Sequence, residues 1–302
     1  MSVASRPGPL PRPESPLAGF AAEFLRDRVA LAGLVIFAIV ATAAVLAPVI
    51  APQDPYDLTV IDIMDSLQAP GAPWEGHGIF LLGTDDQGRD MLSAILYGLR
   101  TSLLVGALST LIGLGVGVTA GLAAAYFGGR IDTLIMRIVD IQLSFPAVLV
   151  ALILLALLGK GVDKVVAALA IVQWAYYART VRGAALVERR KEYIEAARCL
   201  ALSHGRVVLR HLLPNALPPV IVVATVQVAH AIALEATLSF LGVGVPVTEP
   251  SLGMLIANGF QYMLSGEYWI SMFPGLALVV TIVAINLLGD RLRDVLNPRL
   301  SR

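Results

Sequence analysis

Residues 165–178, VVAALAIVQWAYYA, decide how this chain folds. They form an apolar run of only 14 residues, closed off by Lys164 on one side and Arg179 on the other. A bilayer core of about 30 Å needs about 20 apolar residues in a helix, so by length alone the run suits a buried or re-entrant helix. Whether it crosses fixes the number of spans, and with it which loops share a side.

The surrounding sequence is that of an integral membrane protein. Of 302 residues, 57% are hydrophobic and only 15% charged, against about 25% charged in an average soluble domain. The charges are bunched. Residues 29–50 and 101–127 carry none over 22 and 27 positions, enough for a spanning helix each. A third run covers 138–158, interrupted only by Asp140. Beyond the run at 165, a fifth covers 218–241, starting at Pro218 and Pro219 with Glu235 inside it, and a sixth covers 269–289. Residues 1–28 are rich in Pro and Arg, and the 22-residue run behind them exceeds the ~7–15 residues of a secretory signal core. We therefore read 1–28 as an uncleaved tail ahead of a first membrane helix.

Charge asymmetry argues that the short run does cross. With six spans and the N-terminus inside, eighteen Lys and Arg fall on the cytoplasmic side and four (Arg89, Arg100, Lys160, Lys164) outside. That is the bias the positive-inside rule expects. If the run did not cross, the eight basic residues between Arg179 and Arg210 would move outside and the bias would collapse. Arg179 and Arg182 can snorkel, extending the usable helix to about 165–186. The expected fold is thus all-α and polytopic: six spans within 29–292, a loop at 187–213, and both termini cytoplasmic, the C-terminal tail being 293–302. The glycines of the second span (Gly113, Gly117, Gly121) recur at close-packing spacings and predict a tight bundle with a subunit interface.

The usual apparatus of catalysis is absent from the sequence. It holds no phosphate-cradling Gly-x4-Gly-Lys-[Ser/Thr] loop, no Gly-x-Ser-x-Gly elbow and no His-Glu-x-x-His pair. The four histidines are scattered, Cys199 is the single cysteine, and zero net charge gives no case for nucleic-acid binding. The chain is read as a non-enzyme without a cofactor or metal of its own. Residues 85–90 resemble a turn and cap: Thr84 or Asp85 could cap a surface helix beginning near Gly88 and burying Met91, Leu92, Ile95 and Leu96.

The loop itself reads EYIEAARCLALSHGRVVLRHLLPN over residues 192–215. On residue chemistry alone it could hold a soluble partner or lie as an amphipathic helix along the headgroups. Glu195-Ala196-Ala197 followed by Ala201 and Leu213-Pro214 resembles the EAA signature of ABC-importer permease subunits. His211-Leu212-Leu213-Pro214-Asn215, residues 82–90 (LGTDDQGRD), 127–132 (FGGRID), 140–146, 235–242 (EATLSFLG) and 286–290 (NLLGD) are similar to the C-type subunit of the dipeptide/oligopeptide/nickel permease family. The resemblance covers roughly residues 20–300 in one order.

That resemblance implies a bacterial inner-membrane permease, one half of a channel completed by a homologous B-type subunit. Two cytoplasmic ATPases, which carry the ATP and Mg, and a periplasmic or lipid-anchored binding protein complete the importer. Peptides are the implied cargo, with nickel chelates or other small solutes as the alternative; a secondary transporter working alone is the rival class. The loop would form coupling helices docked on an ATPase, with Glu195, Ala196, Ala197, Arg198, Ala201 and Gly205 in the docking surface. Ala201 departs from the family, which places glycine there; if the turn needs φ > 0, alanine strains it unless Gly205 supplies the break. Glu235, deep in the fifth span, must be paired or face water. With Ser239 at i+4 it reads either as lining the translocation path or as fixing subunit packing.

Overall fold

The computed structural model describes residues 27–57, 59–74 and 78–296; most of the expected N-terminal tail and the last six residues lie outside the described set. Besides a 3-10 turn at Ile63–Asp65, nine helices are found among the described residues: α1 (Arg28–Ile50), α2 (Met91–Phe127), α3 (Gly129–Leu143), α4 (Ala147–Leu158), α5 (Val162–Glu188), α6 (Glu192–Cys199), α7 (His204–Phe240), α8 (Leu252–Phe260) and α9 (Trp269–Leu296). A two-residue antiparallel hairpin, β1 (Pro73–Trp74) with β2 (Gly78–Ile79), sits in the segment between α1 and α2. Four helices, α1, α2, α7 and α9, are long and apolar enough to cross a membrane.

The expected run 138–158 is not one straight helix. It divides between α3 and α4, which meet at 93°. Pro146 causes the break: it has no N–H to continue the ladder, and its ring disfavours helical geometry at Phe145. The elbow is pinned to α5, where Gln142 donates to the Val172 carbonyl at 3.1 Å and accepts from the Trp174 indole at 2.7 Å. Asp140 pairs with Arg179 of α5, not locally with Arg137 as its spacing suggests.

The deciding run 165–178 lies inside α5, whose 27 residues measure about 40 Å. Its two arginines meet carboxylates on α3: Arg179 pairs with Asp140, and Arg182 holds Asp132 at 2.7 Å. The arginines at and just past the end of the apolar run are therefore matched by carboxylates of the same chain. At its beginning Gly161 donates to the Gly244 carbonyl just beyond α7, at 3.4 Å. At its end Arg189 donates to the Ala125 carbonyl, in the last turn of α2, at 2.8 Å. So α5 runs alongside α2 and antiparallel to α7 for most of their depth.

The seam between α2 and α5 is where the glycine spacing is used. Gly113 packs against Ala170, Gly117 against Trp174 and Gly121 against Ala178, the constant offset of two parallel helices. This corrects the expected subunit interface: the small face is consumed inside the chain. A Cβ at Gly117 would lie 2.5 Å from the Trp174 carbonyl and 2.5 Å from the Tyr177 Cβ, whereas one at Gly115 meets nothing within 4 Å. Gly117→Ala should therefore cost about 1–3 kcal/mol, read as a lower thermal midpoint of the solubilised protein, with Gly115→Ala as the unaffected control.

Two further differences concern helix starts. Asp90, not Thr84 or Asp85, caps α2, its carboxylate accepting from the Ser93 N–H at 2.8 Å. The expected surface helix is simply the first turns of α2. Asp85 instead accepts from the Arg89 guanidinium at 2.7 Å, both side chains buried. The chain also enters α7 earlier than Pro218: the helix is continuous from His204, with a wide π turn over Val207–Leu212. Pro214 has no N–H to return to the preceding turn, and the wider turn absorbs the mismatch. Asp27, which caps α1, meets Arg291 of α9 at 3.6 Å and ties the start of the first helix to the last turns of the last.

Candidate functional site

The loop at 187–213 is built around α6. Its first-turn residue Tyr193 donates to Glu188 at 2.7 Å; burial, reinforced by that carboxylate, pushes the phenol up to about 12, so it remains a donor at any physiological pH. Beneath α6 lies an apolar cluster of Ile194, Ala197, Val207 and Leu212, packed on Leu122 and Ala125 of α2 and Val181 and Ala185 of α5. A larger side chain at Ala197 would lift α6 off the bundle.

The six residues assigned to docking divide. Glu195 and Ala196 are exposed, and Glu195 enters no ion pair among the described residues. Ala197 is 4% exposed and belongs to the core under the loop, not to a docking face. Arg198 turns back toward the bundle, its guanidinium 5.4 Å from the Tyr126 ring centroid, a cation–π distance. Ala201 and Gly205 are exposed.

Ala201 makes the turn. Its φ is +52°, the left-handed region that glycine enters without cost. Around it the Ala201 N–H bonds the Arg198 carbonyl at 2.9 Å and the Leu202 N–H reaches back to Ala197 at 3.2 Å, the paired bonds of a helix C-terminal cap. Gly205 does not supply the break: it lies inside the first turn of α7. The strained residue is alanine where glycine would fit. Ala201→Gly should stabilise the loop by about 1 kcal/mol, seen as slower amide exchange over residues 192–199; unchanged or faster exchange would contradict the strain.

The second locus is Glu235, fully buried in α7. Its carboxylate accepts from Ser102 of α2 at 2.8 Å and from Ser239 one turn on at 2.8 Å. Ser251, which caps α8, lies beside the same group. Three separate segments thus converge on one acidic side chain, and Ser239 also accepts from the Val245 N–H at 3.3 Å. The sequence signals Glu235 and Ser239 by their spacing, but not Ser102, 133 residues away. It likewise conceals Tyr126, whose hydroxyl lies 2.7 Å from the His204 Nδ1 and joins the end of α2 to the start of α7.

Comparison with known proteins places this architecture. Residues 117–302 match the model of the binding-protein-dependent transport system inner membrane component, and residues 15–70 match the N-terminal TM domain of oligopeptide transport permease C. The chain is 42% identical over 293 residues to the dipeptide transport system permease protein DppC of Escherichia coli, covering 97% of this chain and 96% of that one. It is 39% identical over 287 residues to the di/tripeptide transport system permease protein DppC of Pseudomonas aeruginosa (95% and 93% covered). A chain of the inward-facing MetNI methionine ABC transporter superposes with a TM-score of 0.55 at 23% identity, over 68% of this chain and 98% of that chain, a likeness of fold. Helical bundle, interposed loop and sequence kinship agree: the chain belongs to the family of inner-membrane permease components of binding-protein-dependent ABC importers, on its dipeptide/oligopeptide C-type branch.

Proposed function

We propose that this chain is one half of the membrane channel of a peptide importer, spanning the bacterial inner membrane six times with both termini in the cytoplasm. Its relatives named as dipeptide and di/tripeptide permeases support the cargo. The Asp27–Arg291 contact supports the topology. It brings the ends of α1 and α9 to one side, which requires an even number of crossings. The four long apolar helices and the bent α3–α4 pair give five, and α5 supplies the sixth. On this reading a B-type permease completes the channel, a binding protein delivers cargo to the outer face, and two ATPases bind ATP and Mg below. The chain itself breaks no bond.

The observation that carries the reading is the outward Glu195–Ala196 face of α6, suspended between α5 and α7 on an apolar footing. Movement of a partner against that face would be transmitted through Ala197 and Ile194 into α2 and α5. Reconstitution tests it. Proteoliposomes holding this chain with its genomic-neighbour permease, ATPases and binding protein should accumulate labelled dipeptide only with ATP inside. Gradient-driven uptake by the chain alone would instead make it a secondary transporter.

A further inference from the structure

Two adjoining cavities share the ends of α2 and α7. One, of about 370 Å³, is an apolar groove between Leu122 and Val208, closed by Tyr126, Phe127 and His204. The other, of about 530 Å³, opens from it around Tyr126 and His204 and is lined by Arg189 and Arg198. No acidic side chain lines either cavity. Arg189 and Arg198 are in no ion pair among the described residues, and they are the two guanidinium groups that line the second cavity. Arg189 spends one N–H on the Ala125 carbonyl at 2.8 Å, and Arg198 rests on the Tyr126 ring. Both line the second cavity and carry further N–H donors.

We infer that these cavities form one binding site for an anionic phospholipid, with the phosphate held by Arg189 and Arg198 and the start of an acyl chain in the groove. Every outward apolar face of a membrane helix meets acyl chains, and that alone selects no lipid. Here the selection comes from two uncompensated guanidinium groups at the mouth of an apolar slot, at the level where spanning helices end. The groove follows α2 from Val118 to Tyr126, about 12 Å along the axis, long enough for the first methylenes of a chain. On the proposed topology it opens to the cytoplasmic leaflet, where anionic lipid is enriched. A free phosphate has no use for the groove. A bound lipid would brace the loop against α2, since Arg198 belongs to α6 and Arg189 to the end of α5.

The test is lipid retention by the full-length chain, extracted in mild detergent, washed, and analysed by mass spectrometry after exposure to an equimolar mixture of phosphatidylglycerol and phosphatidylcholine. Wild type should retain phosphatidylglycerol in preference. Arg189→Gln with Arg198→Gln should lower the phosphatidylglycerol-to-phosphatidylcholine ratio about 25-fold, each cation being worth about a factor of five at an anionic headgroup. Ala123→Phe, which obstructs the groove and leaves the cations, should lower total retained lipid. Arg210→Gln, at a basic residue of the π turn of α7 outside both cavities, should change neither. A ratio that stays at the wild-type value in the double variant overturns the site, as does retention unaffected by Ala123→Phe, which would mean that no acyl chain occupies the groove. None of these readouts depends on transport, so they stand apart from a failure of the proposed function.

Discussion

Glu195→Lys is expected to leave the protein inserted and correctly folded while ATP hydrolysis continues without peptide uptake. The side chain is exposed on α6, beside Ala196, and enters no ion pair among the described residues. Reversing it should cost the bundle little, because surface substitutions away from packing and caps usually stay within about 0.5 kcal/mol. A like charge placed against a partner's basic group costs several kcal/mol; about 2–3 kcal/mol corresponds to roughly 30–150-fold in docking. Membrane vesicles carrying the variant should show uptake reduced by at least tenfold on that arithmetic, with unaltered amounts of permease in the membrane. Glu195→Gln should fall between the two. Normal uptake by the Lys variant would end the assignment of α6 as the coupling element.

The sequence made some of this legible and concealed the rest for definable reasons. The loop at 187–213 stands out because its charges interrupt an apolar chain, and charge is read position by position. The run at 165–178 is short because Lys164 and Arg179 close it; only folding shows that Arg179 and Arg182 meet Asp140 and Asp132, 39 and 50 residues away. Pro146 stands inside the run 138–158, yet an apolar count ignores backbone and does not reveal the bend. The glycine spacing predicted close packing but not the partner, because a small face is equally suited to another helix of the same chain. Ala197 looked like its neighbour Ala196. One is exposed and the other lies in the core because successive residues on a helix point about 100° apart. The strain at Ala201 could be foreseen as a question and required the backbone for its answer.

The other large effect concerns Glu235, where the sequence left path lining and packing open. A residue that lines a path must reach water or cargo; this one is 0% exposed in the chain's own bundle and is surrounded by serines from α2, α7 and the cap of α8. Packing is the role its surroundings support. Glu235→Ala would strip the Ser102 and Ser239 hydroxyls of their acceptor and leave a void at the convergence of those segments, a loss of about 3–5 kcal/mol. The solubilised variant should show a much lower thermal midpoint and poor yield. Glu235→Gln keeps one carbonyl acceptor and the side-chain volume, so its loss should be about 1 kcal/mol, with assembly retained. Gly253 strengthens the expectation, because a Cβ there would lie 2.3 Å from the Ala236 carbonyl, which leaves α8 no slack to move inward and fill the space. If the Ala variant proves as stable as wild type and only uptake is lost, the carboxylate serves the path after all. If both variants transport and melt normally, neither role holds.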